Sequence, residues 1–370
     1  MEKFTFEGQP KLRLLSNDQI RLIHEKALHV LEHAGVKFES EEALKILQEH
    51  GATVDFDKHV VKFKPDMVND AIKKAPSSIQ LYNREGEPAA LLSGTNVYFD
   101  PGSAAIKFME SDGKTVRQSE ARDLAAISKV NDALDNIALQ STSVVCYDVP
   151  KLIGDSYRLY VLLKNSPKAI ITGAFSVHGI KHMREMLAVI AGGYDQLKEK
   201  PMAVFDICPS PPLKWTHISS QNIIDCARYG LPLETVSMPM PGAASPATLS
   251  GSIVVHTAET LSGIVLAQCV NPGAQVVYGG APVHFDMRFG TTPLSAMEAT
   301  MIASAYSQMG KYFGLPTHTY AGLSDAKVVD AQAGLETGMS GVVALLAGIN
   351  MISGAGALDF VSCISLEKLV

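Results

Sequence analysis

The sequence predicts a (β/α)8 TIM-type barrel, α/β in class, with a small N-terminal α+β cap. Two observations carry that reading. From residue 96 onward, eight apolar runs of strand length alternate with seven helix-length stretches, the pattern of a parallel sheet wrapped by helices. The interior runs, such as Ala169-Ile170-Ile171, Ala203-Val204-Phe205 and Gln275-Val276-Val277-Tyr278, are apolar on both faces, as a helix-covered sheet requires. An open doubly wound sheet is the structural alternative. The lack of a GxGxxG turn after the first strand argues against it.

Residues 1–95 read as the cap. An amphipathic helix is expected over residues 17–35, with Asn17 as its cap and Ile20, Ile23, Ala27, Val30 and Leu31 on one face. A second helix follows at about 40–50. Short alternating segments at 52–56 and 60–63, a helix near 65–74 and a strand near 78–82 complete the cap. Residues 96–370 read as the barrel. Its strands are expected at about 96–100, 138–145, 169–174, 203–208, 232–238, 274–279, 315–320 and 350–354. The helices between them fall at about 119–134, 155–165, 179–191, 216–229, 248–270, 294–313 and 328–348. After the eighth strand, Asp359–Val370 starts a helix and stops without a C-cap, so the chain is expected to be cut in its last barrel helix.

Composition narrows the function. Of 370 residues, 46% are hydrophobic and 19% charged, which is the make-up of a soluble globular protein. A formal charge of -6 without a basic cluster argues against nucleic acid. Five scattered Cys without a CxxC pair, behind an N-terminus without an apolar h-region, are expected to be reduced thiols in a cytoplasm. The uncharged run Gly341–Leu358 raises the membrane question. Its four Gly, with Asn350 and Ser353, make it the end of a buried helix and a buried strand, not a span.

In a barrel the strand-to-helix joints line one mouth. The joint of Pro316–Gly334 holds His318, Tyr320 and Asp325 around the Ala321-Gly322 break, with Ser324 and Asp325 leading toward a helix. The joint from Tyr278 to Gly290 is long and combines Phe285, Asp286, Arg288 and Phe289; it is either functional or a solvated surface loop. Tyr98, Phe99, Tyr278, Phe285 and Tyr320, with Asp100, Asp286 and Asp325, place rings and carboxylates at or near several joints. A cation without N–H donors is held by ring faces and carboxylates, at about 0.5–2 kcal/mol per contact. Ordinary core filling is the other account of any single ring.

His256 and Glu259 share a face of the apolar helix at 248–270. They are either a buried pair that ties the helix down or an acid–base couple. No second pair completes a metal site, so no metal is expected. Nucleophile and phosphate motifs of the GxSxG, GxxxxGK[ST] and HExxH kinds are missing.

Several passages together resemble the trimethylamine methyltransferase (MttB) family. They are Cys208-Pro209 with Pro212-Leu213, Ser237-Met238 with Ser245-Pro246, and His256-x-Ala258-Glu259-x-Leu261-Ser262-Gly263-Ile264-Val265-Leu266-Ala267-Gln268. Ser324-Asp325-Ala326-Lys327-Val328 with Asp330, Gln332-Ala333-Gly334 and Gly354-Ala355-Gly356 continue the match. The resemblance implies a barrel enzyme that passes a methyl group from a methylated amine to the Co(I) corrinoid of a cognate partner protein, with no cofactor bound in this chain. The archaeal trimethylamine enzymes carry pyrrolysine just before the Ser-Asp-Ala-Lys motif, where this chain has Leu323. Leu323, not itself reactive, and Asp325 therefore mark the catalytic segment. Family members without pyrrolysine are similar to glycine betaine methyltransferases, so the expected substrate is a quaternary amine such as glycine betaine, proline betaine, carnitine or a choline-like compound.

On this reading Tyr98, Tyr278, Phe285 and Tyr320, with Asp100 or Asp286, hold the cation, and His318 or Arg288 takes a substrate carboxylate. A homo-oligomer is expected. The alternatives are a barrel that binds a quaternary amine without turnover, and a lyase or isomerase using Asp206 or His256–Glu259 for proton transfer.

Overall fold

The computed structural model describes residues 11–370. Helix α1 (Asn17–His33) is capped by Ser16, one residue before the expected Asn17. The Ser16 hydroxyl accepts from the Gln19 amide at 3.2 Å, and the Gln19 side chain accepts from the Ser16 amide at 2.8 Å. This box satisfies two orphan donors at once, which Asn17 with Ile20 cannot. Strand β1 (Val36–Phe38), α2 (Glu41–Glu49), β2 (Thr53–Asp55), β3 (Val60–Lys62) and α3 (Pro65–Lys74) follow. An antiparallel hairpin of β4 (Ile79–Tyr82) and β5 (Pro88–Leu92) leads to the barrel.

The barrel opens with β6 (Tyr98–Asp100). Two short strands, β7 (Lys107–Met109) and β8 (Val116–Gln118), precede α4 (Ala121–Asp132). The chain continues through β9 (Gln140–Ser141), α5 (Gly154–Asn165), β10 (Ile170–Gly173), α6 (Gly179–Ala191), α7 (Tyr194–Glu199) and β11 (Ala203–Ile207). Then come β12 (Lys214–Trp215), α8 (His217–Tyr229), β13 (Leu233–Ser237), α9 (Leu249–Val270), β14 (Val276–Gly280), α10 (Met297–Tyr312) and β15 (His318–Tyr320). Helix α11 (Ala331–Leu346), β16 (Met351–Ser353), β17 (Ala357–Leu358), β18 (Cys363–Ser365) and α12 (Leu366–Leu369) finish the described chain.

Strands β14, β13, β11, β10 and β9 form one parallel run, and β15, β16 and β6 a second. Backbone bonds join the runs at both seams: Tyr278 N donates to Pro316 O at 2.9 Å, and Leu139 N to Phe99 O at 3.1 Å. The expected (β/α)8 barrel is the architecture. Its amino-terminal end is filled by the β4–β5 hairpin, where Ile79, Leu81, Ala90 and Leu92 pack on Ile171, Val204, Val277 and Met351.

Helix α9 is long and apolar enough to cross a membrane by length and composition alone, yet most of it is buried in the protein. Its Leu261 and Ile264 belong to one continuous core with Ile23 and Leu31 of α1, Leu44 of α2 and Val68 of α3. Strand β1 pairs in parallel with β12 and fastens the N-terminal segment to the barrel. A division into residues 1–95 and 96–370 remains our proposal.

Two further boundaries differ from the sequence reading. Helix α11 begins at Ala331 with Asp330 as its cap, accepting from the Ala333 amide at 3.0 Å. Ser324 and Asp325 lie in an irregular turn before it. The helix expected from Asp359 is instead a turn with Asp359, Phe360 and Val361 all at left-handed φ, followed by β18 pairing with β7. Successive left-handed residues cannot continue a right-handed helix.

Candidate active site

The two-residue period of a strand decides which side chains enter the barrel. Val277 and Met351 point inward at its floor, as does Val204. Strand registers then place Glu234 beside Val277 and beside Asp206, and Ser353 beside Asp100. One step higher, the interior changes from apolar to polar. Asp100, Glu234, His318 and Ser353 are all buried, with Asp206 facing a cavity of about 500 Å3 at the carboxyl-terminal ends of the strands. Function in this fold gathers at that end.

The polar layer is a connected chain. Asp100 accepts from the Gly102 amide at 2.7 Å and from Ser353 Oγ at 2.5 Å. Ser353 Oγ lies 2.8 Å from His318 Nε2, and His318 Nδ1 contacts the Glu234 carboxyl. A hydrogen bond runs from Ser353 to Asp100 and another joins Ser353 to His318, whereas His318 Nδ1 and the Glu234 carboxyl meet in a close contact without hydrogen-bond geometry. Burial pushes the Asp100 carboxyl up and the His318 imidazole down. It pushes Glu234 well up, helped by the charge of Asp100, and Asp206 well up, helped by the charge of Glu234. Like charges crowded in a dry site do not all ionise.

The cavity wall includes Tyr320, Phe175, Phe360, Met238, Asp206 and Arg158. Tyr320 follows His318 by two residues and so faces the cavity; its hydroxyl donates to Ser103 O at 2.5 Å. Arg158 is buried, yet its bonds to Thr142 O, Gly173 O and Asp155 are 3.2, 3.4 and 3.5 Å long. Its guanidinium carbon lies 4.8 Å from the Phe175 ring centre. A guanidinium has five donors, so Arg158 keeps capacity for an anion in the cavity.

The remaining residues singled out in the sequence lie elsewhere. Tyr98 packs against the floor of the barrel, and its hydroxyl accepts from the Leu91 amide. Tyr278 is one residue out of phase with Val277, so it points away from the interior and donates to Thr257 Oγ1 at 2.9 Å. Phe285 is half-buried in the long joint outside the cavity wall. Asp286 and Arg288 pair with each other on the surface at 2.9 Å, which draws the Asp286 carboxyl down to about 2.

Leu323 is buried, with its Cβ 3.0 Å from where a Cβ on Gly354 would stand. Asp325 accepts from the amides of Leu294 at 3.2 Å and Ser295 at 2.8 Å. It thereby braces a segment whose Leu294 lines the cavity. His256 Nε2 pairs with Gly279 O, and its ring stacks on Tyr306 at 4.0 Å; burial drives it down to about 3. Glu259 accepts from Leu213 N and Ser237 Oγ. The two hold separate partners.

Glu234, Arg158, Phe175, Ser353 and Phe360 were not anticipated. A trace of Glu234 and Asp206 exists in the sequence: each is the one charged residue of a strand-length run, where an ionisable group has a cost to justify.

Comparison with known proteins bears on family and fold. The family model described as trimethylamine methyltransferase (MTTB) matches residues 2–370. A trimethylamine methyltransferase MttB of Desulfitobacterium hafniense is 36% identical over 93% of this chain and 69% of its own. A glycine betaine methyltransferase of the same species is 33% identical over 98% of this chain and 75% of its own. The trimethylamine methyltransferase MttB of Methanosarcina barkeri is 34% identical over 97% and 74%. Among solved structures, the M. barkeri monomethylamine methyltransferase (MtmB) superposes with a TM-score of 0.59 at 13% identity, over 94% of this chain and 75% of its own, a likeness of fold. A match running the length of the chain, joined to relatives above 30% identity, makes this protein a member of the trimethylamine methyltransferase family.

Proposed function

We propose that this methyltransferase moves a methyl group from a small quaternary amine of the glycine betaine class to a Co(I) corrinoid carried by a cognate partner protein. The observation that carries the reading is the cavity, whose lining includes Tyr320, Phe175, Asp206 and Arg158. Ring faces and carboxylates suit an ammonium without N–H groups, and a guanidinium suits a carboxylate. A betaine carries both charges.

Leu323 supports the quaternary class further, since it offers no electrophile to engage a free amine and its side chain is buried. A quaternary nitrogen already has a neutral leaving group, so methyl transfer from it requires no prior protonation. This chain's task is to fix the ammonium and aim one methyl toward the mouth; the nucleophile is supplied by the corrinoid of the docked partner. His256 and Glu259, each engaged elsewhere, weigh against proton transfer through that pair.

A reducing, cytoplasmic setting belongs to the same proposal and is supported by unpaired cysteines, several of them buried. So does self-association, supported by an exposed apolar face on α11.

The test is anaerobic. The protein is mixed with Co(I) cobalamin, and with its corrinoid partner, in the presence of glycine betaine, carnitine, choline or trimethylamine, and loss of Co(I) absorption is followed. Methylation from a carboxylated quaternary amine and none from trimethylamine is expected. Methylation from trimethylamine alone overturns the reading. Saturable binding without methylation in the presence of the partner supports the binding-only alternative instead.

A further inference from the structure

We propose that Asp206 is the counter-ion of the substrate's cation and releases a proton to solvent each time a quaternary ammonium binds. This rests on the substrate class proposed above and adds to it a residue and a proton stoichiometry.

The argument starts from charge balance at the cavity floor. Asp206, at the upper end of β11, is faced by Glu234 on β13, His318 and Tyr320 on β15, Asp100 on β6, Arg158 on α5 and Cys208 on its own strand end. Asp155 already lies against Arg158 at 3.5 Å and offsets its charge. In the chain from Asp100 through Ser353 and His318 to Glu234, Asp100 is served by the Gly102 amide and the Ser353 hydroxyl and is the carboxyl best held as an anion, while neither Glu234 oxygen has a donor, which leaves that chain one net negative charge. An ionised Asp206 would add a second negative charge beside it, with no free cation to offset either.

The hydrogen bonds of Asp206 agree with this. Its Oδ1 is buried and has no hydrogen-bond partner, as is true of both Glu234 oxygens, whereas Asp100 is bound by two donors. Carboxyls left unserved in this way are poorly stabilised in their charged form, and Asp206 is one of the two. It is also the one carboxyl of the three that lines the cavity. In the free protein it therefore carries its proton. Burial and the neighbouring Glu234 charge push the same way.

An ammonium without N–H groups changes the balance. It brings a positive charge into the cavity and cannot satisfy Asp206 by donating a hydrogen bond, so the favourable contact is charge with charge. The carboxyl ionises, its proton passes to solvent, and the cation replaces it as the positive partner. No bond of the substrate is altered in this step. The sign follows: below the pH at which Asp206 ionises in the free protein, binding must displace a proton and weakens as pH falls, by up to about tenfold per pH unit. Above that pH, affinity levels off.

Calorimetric titration tests this with two probes that have no proton of their own to lose near neutrality, glycine betaine and tetramethylammonium. Each is titrated into the protein across roughly pH 5 to 8, in acetate and in MES at the acid end and in phosphate and in Tris at the other. The difference in heat between the buffers should report close to one proton released per molecule bound at the acid end. Affinity should rise with pH and then flatten.

D206N, with D206S as a second variant and a thermal melt to verify folding, should bind more weakly, release no proton and lose the pH dependence. E234Q should keep the release. A purely structural Asp206 would alter affinity without changing the proton count. Binding by the unmodified protein with no proton released at any pH overturns the proposal and leaves the substrate reading standing. Release that persists in folded D206N or D206S moves the proton to another group and also overturns it. Failure of both probes to bind overturns the substrate reading, and this proposal with it.

Discussion

Tyr320 and Phe285 are both rings near the mouth, and their surroundings predict opposite outcomes on removal. Tyr320 lines the cavity and ties Ser103 through its hydroxyl, while Phe285 sits in the long joint outside the cavity wall. A ring face against an ammonium contributes about 0.5–2 kcal/mol, so Tyr320→Ala should raise the KM for the amine by roughly 2- to 30-fold. Phe285→Ala should change it by less than about twofold. Steady-state kinetics on the pair decides which ring meets the substrate; equal effects would move the site outward. Arg158 allows a sharper test. Lys keeps the charge but not the planar fork, so Arg158→Lys should raise the KM for glycine betaine by about 10-fold or more. Choline, which has the same ammonium and no carboxylate, should be little affected. A uniform loss with both substrates would mean that Arg158 only holds the wall together.

Helices were easier to place from sequence than short strands, for a physical reason. A helix of twelve or more residues repeats its apolar face several times and carries end signals such as the Thr216 cap of α8 and the left-handed Gly230 after it. Strands β7, β8, β12 and β18 are two or three residues long, too short to show a period, and exist because a neighbouring edge pairs with them. Within α9, Glu259 links burial to pH. It is held by two donors and no cation, and burial raises its carboxyl to about 7. A raised carboxyl favours the native state below its unfolded value near 4.5, and that advantage is lost as pH rises toward 7. The penalty then present is on the order of 3 kcal/mol. Glu259→Gln keeps the contact from the Leu213 amide, reverses the one with Ser237 so that the side-chain amide donates to the hydroxyl, and removes the charge. Its melting temperature at about pH 8 should equal or exceed that of the unmodified protein, and the stability difference should fade toward about pH 5. A lower melting temperature for the variant at pH 8 would show that the carboxylate is better solvated than its two donors imply. The β4–β5 hairpin gives a complementary stability test: Leu81→Ala, at the floor of the barrel, should cost about 2–5 kcal/mol in denaturant unfolding and leave KM unchanged, because the cavity lies at the other end.

The barrel was legible because alternation of strand and helix survives errors of several residues at each boundary. The site was legible only in part, because it depends on the inward phase of each strand. In Val276-Val277-Tyr278 every residue is apolar or aromatic, so nothing in the sequence says that Val277 faces in and Tyr278 out. Tyr98 was misread in height, not in phase: it faces the floor, while Asp100, two residues on and on the same side of the strand, reaches the polar layer. Arg158 gave no warning at all, being one of several charged positions on an ordinary helix pattern. The outer surface raises a question of assembly that phase does not obscure. On α11, Leu335, Val342 and Leu345 are 69%, 57% and 50% exposed, and Met339 lies between them at helical spacing. The one charged residue of that helix, Glu336, is turned toward Ser324 and Gln332. An apolar stripe of this kind on a helix surface is the usual material of an isologous contact, in which the same face meets itself across a two-fold axis. Sedimentation velocity should therefore show a concentration-dependent species of twice the monomer mass. The double substitution Leu335→Glu and Val342→Glu should return it to monomer, because facing carboxylates repel and the stripe is interrupted. Methyl transfer should persist in the variant if each barrel contains a complete cavity. A dimer that withstands the substitution would place the contact on another face.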